Sequence, residues 1–439
     1  MQLDYGVDDQ PEGLKLWLYG CQWLALTVPT LVILAQVVTA LGSASAADGI
    51  LYLQKMSLVT GLAIVAQIFW GHRLPLVLGP AAVLLVGALA SRGSAAGAVE
   101  TAMICGGGLL FLASWTGLVA PLQRLFTARV IAVVLLLIAF TLLPTILQML
   151  LSVPEDGHVI PNPVRPLCFA LGFLCVLFFL QRFLKGFWRA TLILWGMIAG
   201  SLIWPVIRVA PPTPGGIHFQ PESALWLASP FGNLTSSLVL DPGVLVAFVI
   251  GYLALAVNDL GSIQCLQGLV QADSMPGRVR RGLAITGLAN ILSGLMGVLG
   301  PVNYSFSPGV ISASRCAARS TLLPAAAGLL VLACSPRLIA WCSAVPTVVI
   351  ATILLYVLCA QVSAGLQALF LAPADFTYHQ GLTVGLSLLL GTLIAFLPPT
   401  VLNALPAALR PLLGNGFVVG VISCLLLEHL VFRQTDVLP

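Results

Sequence analysis

Three polar side chains in an otherwise apolar stretch are the first residues in this chain that could do chemistry. Asn258, Asp259 and Ser262 lie within residues 242–267. On a helix, Asn258 and Ser262 lie one turn apart on one face, and Asp259 points about 100° away. Because polar groups inside a membrane span are costly, they often mark a substrate or ion pathway. The pattern predicts that Asn258 and Ser262 hydrogen-bond a substrate. Alternatively, they bridge neighbouring helices while Asp259 pairs with an arginine near the inner surface.

A second group of polar residues surrounds a proline further along the chain. Its members are Asn303, Tyr304, Ser305, Ser307 and Ser312. Pro308 would lie in the first turn of a short helix, where its missing N–H costs nothing. Free amides and a positive dipole at that helix start would face a cavity, and Phe306 could stack on a flat ring. The alternative is that these small residues only permit close helix packing.

The elements that position these residues are apolar. Of the 439 residues, 59% are hydrophobic and 8% are charged, against about 25% charged in soluble domains. Runs of about 20 residues recur, each long enough to cross a bilayer. We predict an all-α polytopic membrane protein with fourteen transmembrane segments. They lie at residues 17–41, 49–70, 74–91, 96–119, 130–151, 166–182, 188–207, 242–267, 282–300, 303–314, 321–336, 344–364, 380–398 and 414–432.

Segments three and ten are short and interrupted by glycine and proline, at residues 74–91 and 303–314. Proline disrupts a helix, and irregular backbone at membrane depth survives only inside protein or beside a watery cavity. The two segments hold matching places in two halves of seven, which predicts a binding site between them. An odd number of spans per half makes the halves inverted. The polar stretch 208–240 would link them.

Arginine and lysine placement predicts the orientation. With the N-terminus inside, inner loops and tails hold thirteen of the nineteen Lys and Arg residues, and outer loops, to which Lys55 is assigned, hold six. This bias follows the positive-inside rule. Both termini are therefore predicted to be cytoplasmic, in a multi-pass protein of the cell's inner or plasma membrane.

Several kinds of site are not expected. The ten cysteines show no metal or redox spacing, and no basic stretch suggests nucleic-acid binding. All five histidines fall in loops or at segment ends, so no buried imidazole is expected that would suggest a proton relay. The sequence predicts no enzyme, no cofactor and no metal site. In the first apolar run, Gln22 and Trp23 are the notable polar pair, and Thr30 lies two turns on.

The order of local motifs resembles one family along nearly the whole chain. They are Gln22-Trp23, residues 78–82, residues 127–130 with Leu143-Pro144, residues 258–261, residues 281–294 and residues 302–307. They resemble the nucleobase/ascorbate transporter family, which includes the xanthine and uracil permeases.

That resemblance implies two inverted repeats of seven spans, with short antiparallel strands in segments three and ten and substrate bound between the half-helices and span eight. The implied organisation is an N-terminal tail (1–16), a core domain (17–120 and 241–338), a gate domain (121–207 and 339–432), an outer linker (208–240) and a C-terminal tail (433–439). A homodimer through the gate domains is also implied. The implied substrate-binding residues are Gln22, Thr30, Ala81, Ala82, Asn258, Ser262, Ser305, Phe306, Ser307 and Pro308.

The expected activity is secondary transport of a nucleobase-like substrate such as uracil or xanthine, coupled to H⁺ or Na⁺ or uncoupled. This chain departs from the family at both acidic positions, where it has Asn258 and Pro308. It also has Trp23 in place of a histidine and Ala82 in place of an aromatic residue. Asp259 is the candidate for ion coupling. The alternatives are an anion carrier resembling the sulfate permeases, and a membrane scaffold or receptor that does not transport.

Overall fold

The chain folds into helices interrupted by two very short strands. The computed structural model describes residues 3–40, 46–91, 93–117, 127–151, 164–185, 188, 192–207, 225–264, 266, 270, 274–304, 307–343, 345–370, 377–404 and 413–432.

Among the described residues, the first half contains seven helices and one strand. They are α1 (Leu14–Ala40), α2 (Ala46–Phe69), β1 (Leu78–Pro80), α3 (Ala82–Ala90), α4 (Ala98–Thr116), α5 (Ala128–Leu151), α6 (Val164–Phe183) and α7 (Leu192–Ile207).

The second half, where it is described, repeats the pattern with two additional short helices. Its elements are α8 (Pro242–Gln264), α9 (Met275–Met296), β2 (Pro301–Asn303), α10 (Ser307–Ser314), α11 (Leu322–Cys334), α12 (Pro336–Ser343), α13 (Thr347–Phe370), α14 (Tyr378–Ala395), α15 (Pro399–Ala404) and α16 (Gly416–Leu426). A π-helical turn, Leu427–Val431, continues α16.

Within the described residues, eight helices are long and apolar enough to cross a membrane. A ninth span results if Arg319–Cys334 and Pro336–Cys342, which meet at 105°, are taken together. The protein is therefore an integral multi-pass membrane protein, as predicted. The count of fourteen spans remains a prediction, because α3 and α10 are half-length helices and several connections lie outside the described residues.

Strands β1 and β2 pair with each other in antiparallel register, Leu78 with Asn303, Gly79 with Val302 and Pro80 with Pro301. Each strand leads into a half-length helix, α3 after β1 and α10 after β2. This confirms the expected short strands in segments three and ten. The antiparallel pair brings the two interrupted segments together although they lie in different halves of the chain.

The helices pack mainly in two groups. In one, α4 packs on α8 and α9, and α2 packs on α1, α9 and α11. In the other, α5 packs on α13, α14 and α16. The α4–α9 crossing is close: a Cβ on Gly107 would lie 2.7 Å from the Gly287 carbonyl oxygen. Without a side chain at either position the two backbones touch, which is how membrane helices often associate.

Two features differ from the sequence-based expectations. Lys55, assigned to an outer loop, lies within α2, and its ammonium donates to the Asn233 carbonyl oxygen at 2.7 Å. Helix α9 begins at Met275 rather than near residue 282. The apolar pattern missed this start because Arg278, Arg280 and Arg281 occupy the first two turns, although arginine is a good helix former.

Candidate functional site

The two half-length helices begin at the strand pair. The Ala81 N–H donates to the Gly300 carbonyl oxygen at 2.9 Å, just before α3, and the Tyr304 N–H donates to the Val77 carbonyl oxygen at 2.9 Å, just before α10. The first-turn amides of a helix have no partner within that helix and carry a partial positive charge. The strand pair therefore fixes where the positive ends of the two half-length helices lie.

Asp259 on α8 is fully buried and holds the end of β2. Its Oδ1 accepts from the Asn303 backbone N–H at 2.8 Å and from Asn303 Nδ2 at 2.6 Å. Its Oδ2 accepts from the Thr286 hydroxyl on α9 at 2.7 Å. Since every hydrogen bond is donated to the carboxylate, the ionised form matches this environment.

His72 is also fully buried, so the expectation that no imidazole is buried was wrong. Its Nδ1 accepts from the Leu74 N–H at 3.0 Å, which leaves Nε2 as the donor to Asn303 Oδ1 at 3.1 Å. His72 lies in residues 70–77, outside the spanning helices, and its burial lowers the pKa of the imidazole to about 3. A neutral histidine with a fixed tautomer therefore joins this segment to β2.

Gln67 on α2 extends the same network. Its Nε2 donates to the Thr286 hydroxyl at 3.1 Å and to the Gly282 carbonyl oxygen at 2.9 Å. Its Oε1 accepts from the His72 N–H at 3.2 Å. Helices α2, α8 and α9 are thus tied to one another around β2.

Two amide side chains have groups without a hydrogen-bond partner among the described residues. Asn258, the neighbour of Asp259 on α8, is half-buried, and its side chain has no hydrogen bond within the described part of the chain. Gln22 on α1 is 5% exposed, and its Nε2 is buried without a partner there. An amide offers both donors and an acceptor. These groups are suited to a ligand that itself carries N–H and C=O groups.

Other predicted site residues hold the backbone in place. The Ser262 hydroxyl lies 2.8 and 2.9 Å from the Asn258 and Asn303 carbonyl oxygens, which share its single proton. The Ser307 hydroxyl accepts from the Val77 N–H at 3.2 Å. Neither prediction of substrate contact is tested by these bonds, but they give both serines a defined structural role.

The remaining predicted residues are placed as follows. The Thr30 hydroxyl on α1 donates to the Thr27 carbonyl oxygen at 2.7 Å. Ala81 directly precedes α3, whose first residue is Ala82. Pro308 is the second residue of α10. Ser305 and Phe306 lie outside the described residues.

Trp23, which stands in place of a family histidine, bonds within the protein. Its Nε1 donates to the Thr321 hydroxyl at 3.0 Å, next to α11. The indole is 3% exposed. The side chain therefore ties α1 to the start of α11.

A further buried pair beside β2, Asn290 and Tyr252, was not among the residues predicted from the sequence. Asn290 on α9 donates through Nδ2 to the Pro301 carbonyl oxygen at 2.9 Å, and its Oδ1 accepts from the Tyr252 hydroxyl at 2.9 Å. A signal was present, since Asn290 and Thr286 are polar residues one turn apart within an apolar run.

A cavity of about 420 Å³ lies elsewhere, between the ends of α5 and α14. It is lined by apolar side chains such as Leu147 and Phe396 and by the amide of Gln148. No strand or half-length helix contributes to its lining. Among the described residues, no group of three or more His, Cys, Asp or Glu side chains could hold a metal ion.

Comparison with known proteins identifies the family. Residues 14–400 match the xanthine/uracil permease group described as the permease family. The chain belongs to this permease family.

Curated relatives and solved structures agree with this membership. The permease is 27% identical to the nucleobase transporter PlUacP of Paenibacillus larvae, over 88% of this chain and 87% of the relative. It is 26% identical to the uric acid permease PucK of Bacillus subtilis, over 97% of each chain. The transmembrane domain of the cyanobacterial bicarbonate transporter BicA has a TM-score of 0.64 at 17% identity, over 89% of this chain and 99% of that domain. The murine anion transporter Slc26a9 has a TM-score of 0.62 at 11% identity, over 95% of this chain and 68% of that one. These structures show the fold, and the predicted fold class is confirmed.

Proposed function

We propose that this permease carries a nucleobase-like substrate, such as uracil, xanthine or urate, across the cytoplasmic membrane by alternating access. Relatives named as nucleobase and uric acid carriers align over nearly the whole chain. The observation in the structure that carries the proposal is the amide of Asn258, on α8 beside the strand pair, which has no hydrogen-bond partner among the described residues. Amide groups match the alternating N–H and C=O groups on the edge of such a ring.

The alternative of an anion carrier is supported by the shared fold. The solved bicarbonate and anion transporters are 17% and 11% identical to this chain. The partial positive charge at the starts of α3 and α10 could also attract an anion. The relatives named as purine permeases favour the nucleobase.

Uptake into proteoliposomes distinguishes the two. We expect uptake of labelled uracil, xanthine or urate, and none of sulfate or bicarbonate. Asn258→Ala should raise KM about tenfold, the effect of losing one or two hydrogen bonds. Gln148→Ala is the matched control, because it removes an exposed amide from the apolar cavity between α5 and α14. Equal effects of the two variants, or uptake of the anions alone, would contradict the proposal.

We also propose that both termini are cytoplasmic. The N-terminal tail and four basic residues assigned to the inner side gather at one end. Arg278 Nη1 donates to the carbonyl oxygens of His72 and Arg73 at 3.0 and 2.9 Å, and Arg319 forms a 2.8 Å ion pair with Asp8. The Asp4 N–H donates to the Arg315 carbonyl oxygen at 2.8 Å. Labelling of a cysteine introduced into the tail from either side of the membrane tests this orientation.

The division into a moving core and a gate is likewise proposed, supported by the two packing groups. A gate-domain homodimer and coupling to H⁺ or Na⁺ follow only from the family resemblance. Uptake with imposed proton or sodium gradients, and the particle mass in native lipid, test these two points.

A further inference from the structure

Asn303, the last residue of β2, has all four of its polar groups engaged by three side chains. Its backbone N–H and its Nδ2 donate to Asp259. Its Oδ1 accepts from His72 Nε2 at 3.1 Å, and its carbonyl oxygen accepts from the Ser262 hydroxyl at 2.9 Å. A residue held on every side in this way cannot shift without breaking several hydrogen bonds, two of them to a charged group.

The strand pair needs such an anchor. Each strand has three residues, and two-stranded sheets are marginal by themselves. Pro80 and Pro301 face each other in the register and have no N–H to donate. The hydrogen bonds that join Asn303 to Asp259 and Ser262 on α8 therefore hold β2 where the short strand ladder alone would not.

The position of α10 depends on this anchor. Only three residues separate Asn303 from Ser307, the first residue of α10. The same asparagine reaches His72, in the segment that leads into β1 and α3. The Asp259 carboxylate thus holds β2 directly. Through the Asn303 side chain it also holds His72, in the segment that leads into β1.

We infer that Asp259 is a positioning residue for the transport site. It holds Asn303, and thereby the start of α10, and it does not contact the substrate. Both of its oxygens are occupied, and it is fully buried. Contact with the substrate is left to the neighbouring Asn258. This assignment replaces the ion-coupling role expected for Asp259 from the sequence, and it rests on the proposed transport of a nucleobase.

The test is Asp259→Asn in the full-length protein, with KM measured on folded, monodisperse protein in proteoliposomes. The asparagine has the shape of the aspartate, but its NH₂ group faces hydrogen-bond donors of Asn303 or Thr286. We expect KM to rise about tenfold, the effect of weakening a hydrogen bond to a charged group. The rise should be the same factor for each nucleobase that the wild type carries, because a displaced helix start affects all of them. The pH profile of uptake should be unchanged.

A second pair of variants tests the link through Asn303. Asn303→Asp places a second carboxylate against the first, so we expect a larger rise in KM than in Asp259→Asn. Combining the two substitutions leaves one carboxylate in the pair, and KM should fall below that of Asn303→Asp. A double variant no better than Asn303→Asp would overturn the inference.

Controls separate the possible failures. Asp241→Asn changes the cap of α8, where Oδ1 accepts from the Gly243 and Val244 N–H groups, and should leave KM unchanged. If Asp259→Asn does not fold, Thr286→Val removes one of the bonds to Asp259 and should raise KM a few-fold.

Three further results would also overturn the positioning role. The first is a KM within twofold of the wild type in Asp259→Asn or, if that variant does not fold, in Thr286→Val. The second is a rise in KM for one nucleobase only, and the third is a flattened pH profile of uptake. A rise in KM for one nucleobase only would mean that Asp259 contacts the substrate. A flattened pH profile would mean that Asp259 takes part in ion coupling. Absence of any nucleobase uptake by the wild type would instead refute the proposed function.

Discussion

Replacing Gly79 with alanine tests whether the close contact between β1 and Tyr304 holds the strand pair together. A Cβ at this position would lie 2.5 Å from the Tyr304 hydroxyl oxygen and 2.6 Å from Cζ of its ring. The ring cannot move freely, because the Tyr304 hydroxyl donates to the Pro80 carbonyl oxygen at 3.0 Å. The Tyr304 backbone N–H is also held, by the Val77 carbonyl oxygen.

The size of the effect follows from these contacts. Forcing a methyl group into a filled space costs about 1–3 kcal/mol, and losing the hydroxyl's hydrogen bond adds about 1 kcal/mol. Restricting the unfolded chain offsets about 0.5–1 kcal/mol. We expect Gly79→Ala to lower the free energy of unfolding by about 2–3 kcal/mol, which is a few degrees in Tm.

The assay is thermal unfolding of the purified protein followed by tryptophan fluorescence, in a double-mutant cycle. In a Tyr304→Ala background the added methyl group has space, so Gly79→Ala should have little further effect. Gly108→Ala is the matched control: a Cβ on this α4 residue would meet nothing within 4 Å, and alanine should stabilise the helix by about 0.5–1 kcal/mol. The reasoning is refuted if Gly79→Ala lowers Tm equally in both backgrounds, or if it behaves like the control.

Two further predictions concern buried polar groups. His72 has a pKa of about 3 in the folded protein and about 6.5 when unfolded, so below pH 6.5 the unfolded state binds the extra proton and stability is lost as the pH falls. Thermal unfolding should show a loss of about 2 kcal/mol in the free energy of unfolding between pH 6.5 and 5. The variant His72→Gln has no such proton to bind, so its stability should decline less steeply with falling pH. Parallel curves of stability against pH for the two proteins would contradict the low pKa of His72. Glu428 accepts from Arg129 Nε and Nη2 at 2.8 and 2.7 Å and is 6% exposed. Glu428→Gln should therefore lower the free energy of unfolding by about 2 kcal/mol. Adding Arg129→Gln should lower it little further, because the ion pair is already broken. If the losses of stability in the two single variants add up in the double variant, the pair is not coupled.

The sequence by itself determined the class of protein and the order of its elements. Low charge and repeated apolar runs can be stable only in a bilayer, so they predict spanning helices without knowledge of contacts. Helix α8, predicted at residues 242–267, is found at Pro242–Gln264. Proline and glycine marked the two interrupted segments, since their effect on the backbone is local.

The environment of the polar side chains was decided only by the tertiary structure. Helical spacing separates Asp259 from Asn258 by about 100° but does not say what lies on either side. Asp259 meets Asn303, 44 residues away, and Asn303 meets His72 across 231 residues. Such partners come together only when β1 and β2 pair. The same pairing buries a histidine that the sequence places in a connection between spans. It also brings the strands beside Asn258, whose amide is unpaired within the described residues.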